Sequence, residues 1–350
     1  MQNGYYDDGA GLTKALVDER VIAIPAVVAP AHRNLPPEYL SNPEHIMIER
    51  AGARYLAGAA AREQAPTGYS TANTRYTEHD AHTRFYAAMS DLLAPGSHDM
   101  RLTVGANVEA ERALREQIAA HYRGVHTFRR NGNAYTITVR DVLVTAQPRG
   151  AIAYLQAYPP ARLKGRLGRR RLEESTCVVI DVGNFTTDCI VLRPQRQRDG
   201  ATRLSEVYRL SFALRFGVQQ LRDEVAAIIQ DVQGSPAAPE LWEIDTALDT
   251  RHVVHDGADI DVHERITSAR DALWQRAYQD IQRRLEGVRP HYLFVVGGGV
   301  TEGTYGPAIE ATWGSLPGFA IPDQHPPHEA VVRGYRELAA LHWGAVDVAA

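Results

Sequence analysis

The sequence predicts an α/β protein built as two related domains, each carrying a phosphate-type loop. Three stretches carry that prediction. Residues 177–192 read CVVIDVGNFTTDCIVL: two apolar β-type runs, Val178-Val179-Ile180 and Cys189-Ile190-Val191-Leu192, joined by a tight loop. Residues 7–14 read DDGAGLTK, a second loop of acid, glycine and threonine almost half the chain earlier. Residues 291–300 read HYLFVVGGGV, an apolar strand running into three glycines. Amphipathic helical patterns alternate with these strands.

The loop at 183–187 has the chemistry of a polyphosphate cradle. Gly183 lets backbone come close, Thr186 and Thr187 bring hydroxyls, and successive N–H groups suit an anion nest. Asp181 and Asp188 cannot attract phosphate themselves. They make sense with a divalent cation between them and the anion. A plain β-hairpin with turn-capping acids fits the same letters. In the earlier loop the spacing is Asp7-x-Gly9-x-Gly11-x-Thr13-Lys14, and Val21 to Val28 follows as one or two strands. Of 38 basic residues only Lys14 and Lys164 are lysine, so Lys14 stands out as a compact charge suited to a phosphate oxygen. The stretch before Asp7 lacks the aliphatic run expected of a buried strand. A glycine-rich turn with a surface lysine is the plainer reading of this motif.

Composition bounds the rest. The chain has 350 residues, enough for two domains; it is 44% hydrophobic and 23% charged, with a net charge of −4. That charge gives no general pull toward nucleic acid. No apolar run is long enough to span a membrane, and the first residues do not read as a secretion signal. Cys177 and Cys189 read as buried packing thiols of a cytoplasmic protein.

Taken in order, residues 30–100 read as a smaller inserted subdomain, with loops at Pro36-Pro37 and Asn42-Pro43 and a helix over 81–93. His79, His82 and His98 read as solvated surface histidines. A strand at Leu102–Val104, a helix over 109–122, and strands at 135–139 and 142–145 follow. Gln147 then falls at a strand–helix junction, with Pro148 in the first helical turn. Its side chain is placed either to orient water or to cap the helix. Arg162, Lys164, Arg166, Arg169, Arg170 and Arg171 form a basic loop, a solvated connector or a docking surface for an acidic neighbour. Beyond Gly217 a helix carries Val218, Leu221, Val225 and Ile228 on one face. Residues 237–261 are polar, 264–286 form a long amphipathic helix, and a last helix covers 328–342.

DDGAGLTK, DVGNFTTD and FVVGGGV, in that order, resemble the phosphate-1, phosphate-2 and adenosine motifs of the superfamily that joins actin, the heat-shock chaperone ATPases and the sugar kinases. AQPRGAIAY resembles the first connecting helix of that superfamily, and HPPHEAVVRGY the closing helix of bacterial actin-like proteins. The chain length, DxGxGxTK followed by IPAVV, and QPRGAIAY look most like the ParM/StbA-type plasmid-segregation actins and related archaeal actin-like proteins.

The resemblance implies two actin-like (RNase H-like) α/β domains facing across a nucleotide cleft. Domain I would cover 1–157, with the insertion at about 30–100, and be completed by the helix within 328–350. Domain II would cover 158–327, with an insertion at about 237–286. The resemblance implies ATP, or GTP, as substrate with Mg²⁺. Gly9, Gly11, Thr13, Lys14, Gly183, Asn184, Phe185, Thr186, Thr187 and Asp188 would hold the phosphates. Asp7 and Asp181 would hold hydrated Mg²⁺, and Gln147 would position the attacking water. Gly297, Gly298 and Gly299 would lie along adenosine, and Gly217, with Arg222 and Asp223, near ribose or base. It further implies head-to-tail filaments of the chain itself and a separate DNA-binding adaptor protein, with no direct nucleic-acid or membrane contact. Two rivals remain: a sugar or metabolite kinase, for which no catalytic carboxylate motif is identified, and a nucleotide-binding scaffold that does not polymerise.

Overall fold

The computed structural model describes residues 1–32, 35–64, 73–167, 171–198, 200, 202–255 and 257–344. The chain divides into two compact units, 1–157 with 329–350, and 158–328.

The first unit begins with a meander of β1 (Gln2–Asp8), β2 (Leu12–Val17) and β3 (Arg20–Pro25). Then come β4 (Val28–Pro30), β5 (Ile46–Arg50), β6 (Ala53–Ala57), α1 (Ala59–Gln64) and α2 (His79–Leu92). β7 (Gly96–Ala106), α3 (Val108–Tyr122), β8 (Gly124–Arg130), β9 (Asn133–Ala146) and α4 (Gln147–Ala157) follow. All nine strands share one sheet, ordered β3-β2-β1-β7-β9-β8-β5-β6-β4. β1 forms although it lacks aliphatic residues. Gly4, Tyr5 and Tyr6 are buried in it, and it runs parallel to β7 with Tyr6 opposite Val104. Tyrosine has good strand propensity, and the Tyr6 ring meets Phe85 edge-on at 5.4 Å. The two runs expected at 135–139 and 142–145 are one strand, β9. Its pairing with β7 slips at Arg140, where a bulge takes up one residue. α3 starts where the Asn107 side chain accepts the Ala110 N–H at 2.7 Å. The segment 30–100 does not stand apart: β4, β5 and β6 extend the same sheet through β8, and β7 runs across position 100.

The second unit holds α5 (Ala161–Leu167), β10 (Cys177–Val182), β11 (Thr187–Arg196), β12 (Thr202–Glu206) and β13 (Phe212–Leu214). Next are α6 (Val218–Gln233), α7 (Leu241–Thr250), the hairpin β14 (His252–His255) and β15 (Ala258–Asp261), and α8 (His263–Arg284). β16 (Tyr292–Val296), α9 (Gly306–Trp313) and β17 (Phe319–Ala320) close it. Its main sheet runs β12-β11-β10-β16-β17, with β13 pairing β11. This repeats β3-β2-β1-β7-β9 of the first unit: an antiparallel three-strand meander, then two parallel neighbours. The core of the unit joins Val178, Ile180 and Val191 of the sheet to Leu221 and Val225 of α6 and Ile266 and Trp274 of α8. Cys177 and Cys189 are free and buried.

α10 (Ala330–Trp343) returns the chain to the first unit and packs on α4. Gly150 and Gly334 let these helices meet backbone to backbone. A Cβ on Gly150 would lie 2.5 Å from the Val331 carbonyl oxygen, and one on Gly334 would overlap the Gly150 carbonyl.

Two expectations are corrected. Part of the basic loop is helical, as α5, and two of its cations, Arg162 and Arg166, are partnered. Arg162 pairs with Glu310 at 3.1 Å, and the Arg166 guanidinium lies 5.8 Å from the Tyr292 ring centre. Arg169 and Arg170 lie outside the described residues. His82 is not a solvated histidine. It stacks on His121 at 3.8 Å, lies edge-on to His126 at 5.1 Å, and meets the His121 carbonyl at 2.9 Å. Burial lowers His82 to about 4; its backbone hydrogen bond opposes this, and repulsion from His121, His126 and Arg50 adds to it. His121 is likewise lowered to about 4, by burial first and then by His126 and Arg50. His79 does lie on the surface.

Candidate functional site

In the first unit the predicted residues gather at the β1–β2 turn. Asp7 and Asp8 are consecutive on a strand, so their side chains leave on opposite faces. Asp7 is buried and opposite Lys14 in the register. One of its oxygens takes the Lys14 ammonium at 2.6 Å, and the other takes the Gln147 side-chain amide at 2.5 Å. Gln147 reaches it because β9 ends beside β7 and α4 begins with this residue. Asp7, Lys14 and Gln147, far apart in sequence, therefore form one contiguous polar group. The turn between them is pinned by the Ala26 N–H, which donates to the Gly11 carbonyl at 3.0 Å. Thr13 is fully buried; its hydroxyl lies 3.5 Å from Asp8 and so is turned away from the open side of the turn.

Asp8 was not singled out from the sequence, nor were its partners. Arg84 grips its carboxylate with two bonds, Nε at 2.8 Å and Nη2 at 2.9 Å. Arg75 donates from one nitrogen to Asp8 and to the Gly9 carbonyl, both at 3.0 Å. Burial pushes the Asp8 carboxyl up, but the Arg75 and Arg84 guanidiniums beside it prevail and hold it below its usual value. A signal for this was present: of two successive acids on a buried strand, one must face inward and needs a buried cation.

In the second unit β10, β11, α6 and the end of β16 converge. Asp181 and Asp188 are directly paired across the hairpin and so leave the same face. Asn184, Phe185 and Thr186 form its half-buried tip. The hairpin's polar groups are more committed than expected. The Gly183 N–H closes the turn onto the Thr186 carbonyl at 2.8 Å, so it is not the open donor predicted for phosphate. The Thr187 hydroxyl is buried and donates to the Phe216 carbonyl at 2.9 Å, and the Thr186 hydroxyl donates to Asp188 at 3.1 Å. The carbonyls of Gly183 and Asn184 accept the first N–H groups of α6, from Val218 at 3.1 Å and Gln219 at 2.8 Å. Gly217 is needed for this contact, because a Cβ there would lie 2.5 Å from the Asn184 carbonyl oxygen. Its place is thus beneath the hairpin tip. Arg222, expected near ribose or base, donates to the Asn184 side chain at 2.7 Å and pairs with Asp245 at 2.9 Å. Asp223 accepts the Gln219 amide on the exposed side.

Gly297 turns the chain at the end of β16 with φ 100°, a conformation that favours glycine. A Cβ there would overlap the Asp181 carboxylate and the Val182 carbonyl. Gly299 packs on Val182, while the Cβ position of Gly298 opens on free space. Gly297 and Gly299 therefore sit against the Asp181 end of β10, and Gly298 between them is the open position of the turn.

Among the described residues no group of three or more His, Cys, Asp and Glu side chains could grip a metal ion directly. A single half-buried carboxylate at a strand end, such as Asp181, fits a cation held through its water shell, which is how Mg²⁺ commonly binds, whereas both oxygens of buried Asp7 are taken by Lys14 and Gln147. No described helix is long and apolar enough to cross a membrane.

Paired hairpin loops on a repeated five-strand order, with acids at the strand ends and a glycine turn beside the second, define an actin-like fold. Residues 6–150 match the family of actin-like protein N-terminal domains, and residues 179–302 match the C-terminal domain of the MreB-like archaeal actin homologue. The chain belongs to the actin-like superfamily. No curated protein matches its sequence. Among solved structures it is similar to the archaeal actin homologue Ta0583, with a TM-score of 0.77 and 20% identity, over 97% of this chain and 100% of that one. It is also similar to a non-polymerisable quadruple mutant of pCBH ParM, with a TM-score of 0.76 and 15% identity, over 97% and 99% of the two chains. A ParM subunit from a 15-stranded filament of Clostridium botulinum aligns over 98% of each chain, with a TM-score of 0.73 and 16% identity.

Proposed function

We propose that this chain binds and hydrolyses ATP, or GTP, with Mg²⁺ and assembles into nucleotide-dependent filaments that move plasmid or other DNA. The observation that carries the reading is the Asp7–Lys14–Gln147 group at the mouth of a glycine turn. The amides following Gly9 hold phosphate oxygens, and Lys14 offsets charge that develops on them. Gln147 donates its amide to Asp7, which leaves its side-chain carbonyl to accept a hydrogen bond from water and aim that water at phosphorus. In the second unit the hairpin tip around Asn184–Thr186 holds phosphate, and the glycine turn Gly297–Gly299, open at Gly298, lies along the adenosine. Asp181, with Asp7, would hold the hydrated Mg²⁺ through its water shell, and the ion would neutralise phosphate charge. Transfer of a phosphoryl group to water needs chiefly positioning and charge stabilisation, and these side chains provide both.

Support comes from relatives as well. Ta0583 has been solved in complex with ADP and Bacillus thuringiensis ParM with AMPPNP, and the Clostridium botulinum ParM forms a filament. A head-to-tail contact that does not close on itself makes such polymers. The net charge of −4 favours reaching DNA through a separate basic adaptor protein.

The test adds Mg-ATP to concentrated protein and follows light scattering and phosphate release together, with ADP as control. Scattering that rises with ATP and falls as phosphate appears is expected. Phosphate release with flat scattering would remove the filament and leave a kinase-like or non-polymerising protein, which a substrate screen separates. Asp181→Ala should abolish turnover; near-normal turnover in that variant would overturn the site.

A further inference from the structure

The geometry points to Arg75 as a positioning residue for the phosphate loop, acting from beneath it. The inference rests on the nucleotide reading of the β1–β2 turn. The Arg75 Nη2 nitrogen is shared between a side-chain and a main-chain acceptor, Asp8 and the carbonyl of Gly9. The Gly9 carbonyl belongs to the same peptide group as the next amide in the turn. Its direction therefore sets where that N–H points, because the peptide is planar. Glycine at 9 and 11 would otherwise leave this turn free to swing.

The clamp is itself rigid. Arg84 holds Asp8 by two bonds and also donates to the Arg75 main-chain carbonyl at 2.9 Å. Arg75, Arg84 and Asp8 are all buried, so each bond acts in a low dielectric and cannot be replaced by water without loss. The arrangement is also divided by function. Asp7 faces Lys14 and Gln147, while Asp8 on the opposite face serves only to hold the turn. Arg75 lies 66 positions from Gly9 in sequence, in the short 3-10 helix Asn73–Tyr76 that precedes α2, so the loop is fixed by a distant part of the same unit. Loss of Arg75 leaves Asp8 paired with Arg84, and the carboxylate is not stranded.

The test measures binding of adenosine and ADP, with Mg²⁺, to the full chain and to Arg75→Ala and Arg75→Lys. Adenosine does not reach the phosphate loop and ADP does. Arg75→Ala should weaken ADP about ten-fold, as befits one lost charge-assisted hydrogen bond, and leave adenosine unchanged. Arg75→Lys keeps the charge but not the shape that brings Nη2 between Asp8 and the Gly9 carbonyl, and should recover part of the loss. A merely structural role would weaken both ligands alike, and that result, or unchanged ADP binding in either folded variant, overturns the inference. Backbone 15N relaxation of the ligand-free natural chain needs no variant. Order parameters at amides 10–12 as high as in the flanking strands are expected, and those of a mobile turn overturn the clamp. If the natural chain binds neither ADP nor ATP, the nucleotide reading fails, while the relaxation result still judges the clamp.

Discussion

The histidine cluster of the first unit makes acid stability measurable at one residue. His82 on α2, His121 on α3 and His126 on β8 pack together, with Tyr86 and Tyr122 against them and Arg50 of β5 nearby. Folded His82 and His121 stay neutral down to about 4, against an ordinary value of 6.5. Below 6.5 the unfolded chain takes up protons that the folded chain refuses. Stability is therefore fully present above that value, is lost as pH falls toward 4, and is lost no further below it. A ring that stays neutral between pH 7 and pH 5 would forgo about 2 kcal/mol by linkage. Both rings are partly open to water, and screening reduces this to about 1 kcal/mol each, or about 2 kcal/mol for the pair. The perturbation is His82→Gln, which keeps a donor for the His121 carbonyl but cannot titrate. Urea unfolding by circular dichroism at pH 7 and pH 5 gives the loss for each protein. The variant should lose about 1 kcal/mol less than the natural chain. Equal losses in the two proteins would refute the reasoning.

Gly334→Ala should destabilise the first unit by about 1–3 kcal/mol, because the methyl overlaps the Gly150 carbonyl and pushes α10 off α4. An unchanged urea midpoint would contradict that packing. Gln147→Ala should slow hydrolysis about 100-fold with ATP still bound, read as kcat against a fluorescent-nucleotide Kd; an equal loss of binding would remove its role with water. Burial raises the Cys177 thiol to about 12 and raises Cys189 as well, the charge of Asp188 adding to the latter. A maleimide should therefore modify neither at pH 8 in the folded chain and both in urea. Rapid labelling of the native protein would place them on the surface.

The sequence speaks clearly where a local pattern decides the structure. The hairpin at 177–192, the glycine turn after Val296 and the long helix near 264–286 all follow from periodicity and breakers. It speaks less clearly where a tertiary partner decides. β1 is carried by tyrosines that need Phe85 and β7 to be buried. Asp7, Lys14 and Gln147 are each legible as polar residues at turns, but their contact depends on β9 lying beside β7. Thr187 illustrates the limit: its loop matches a phosphate motif, yet its hydroxyl is buried against Phe216. The Arg75–Asp8–Arg84 clamp joins residues from three elements. Nothing in the spacing of two arginines so far from Asp8 reveals it.

The chain leaves the first unit at residue 157 and returns to it at 329. During synthesis the second unit is therefore fully made while α4 still lacks its partner. A nascent chain that stops before Ala330 leaves bare the face of α4 that Gly150 and Tyr154 present to α10. α10 adds a second hold, packing on α4 and on β1 and β2 beside the turn bearing Asp7, and this hold forms only after residues 158–328 have been made. Domains usually mature in the order they emerge. Here the unit that begins first is completed only after the whole of the second unit has been made.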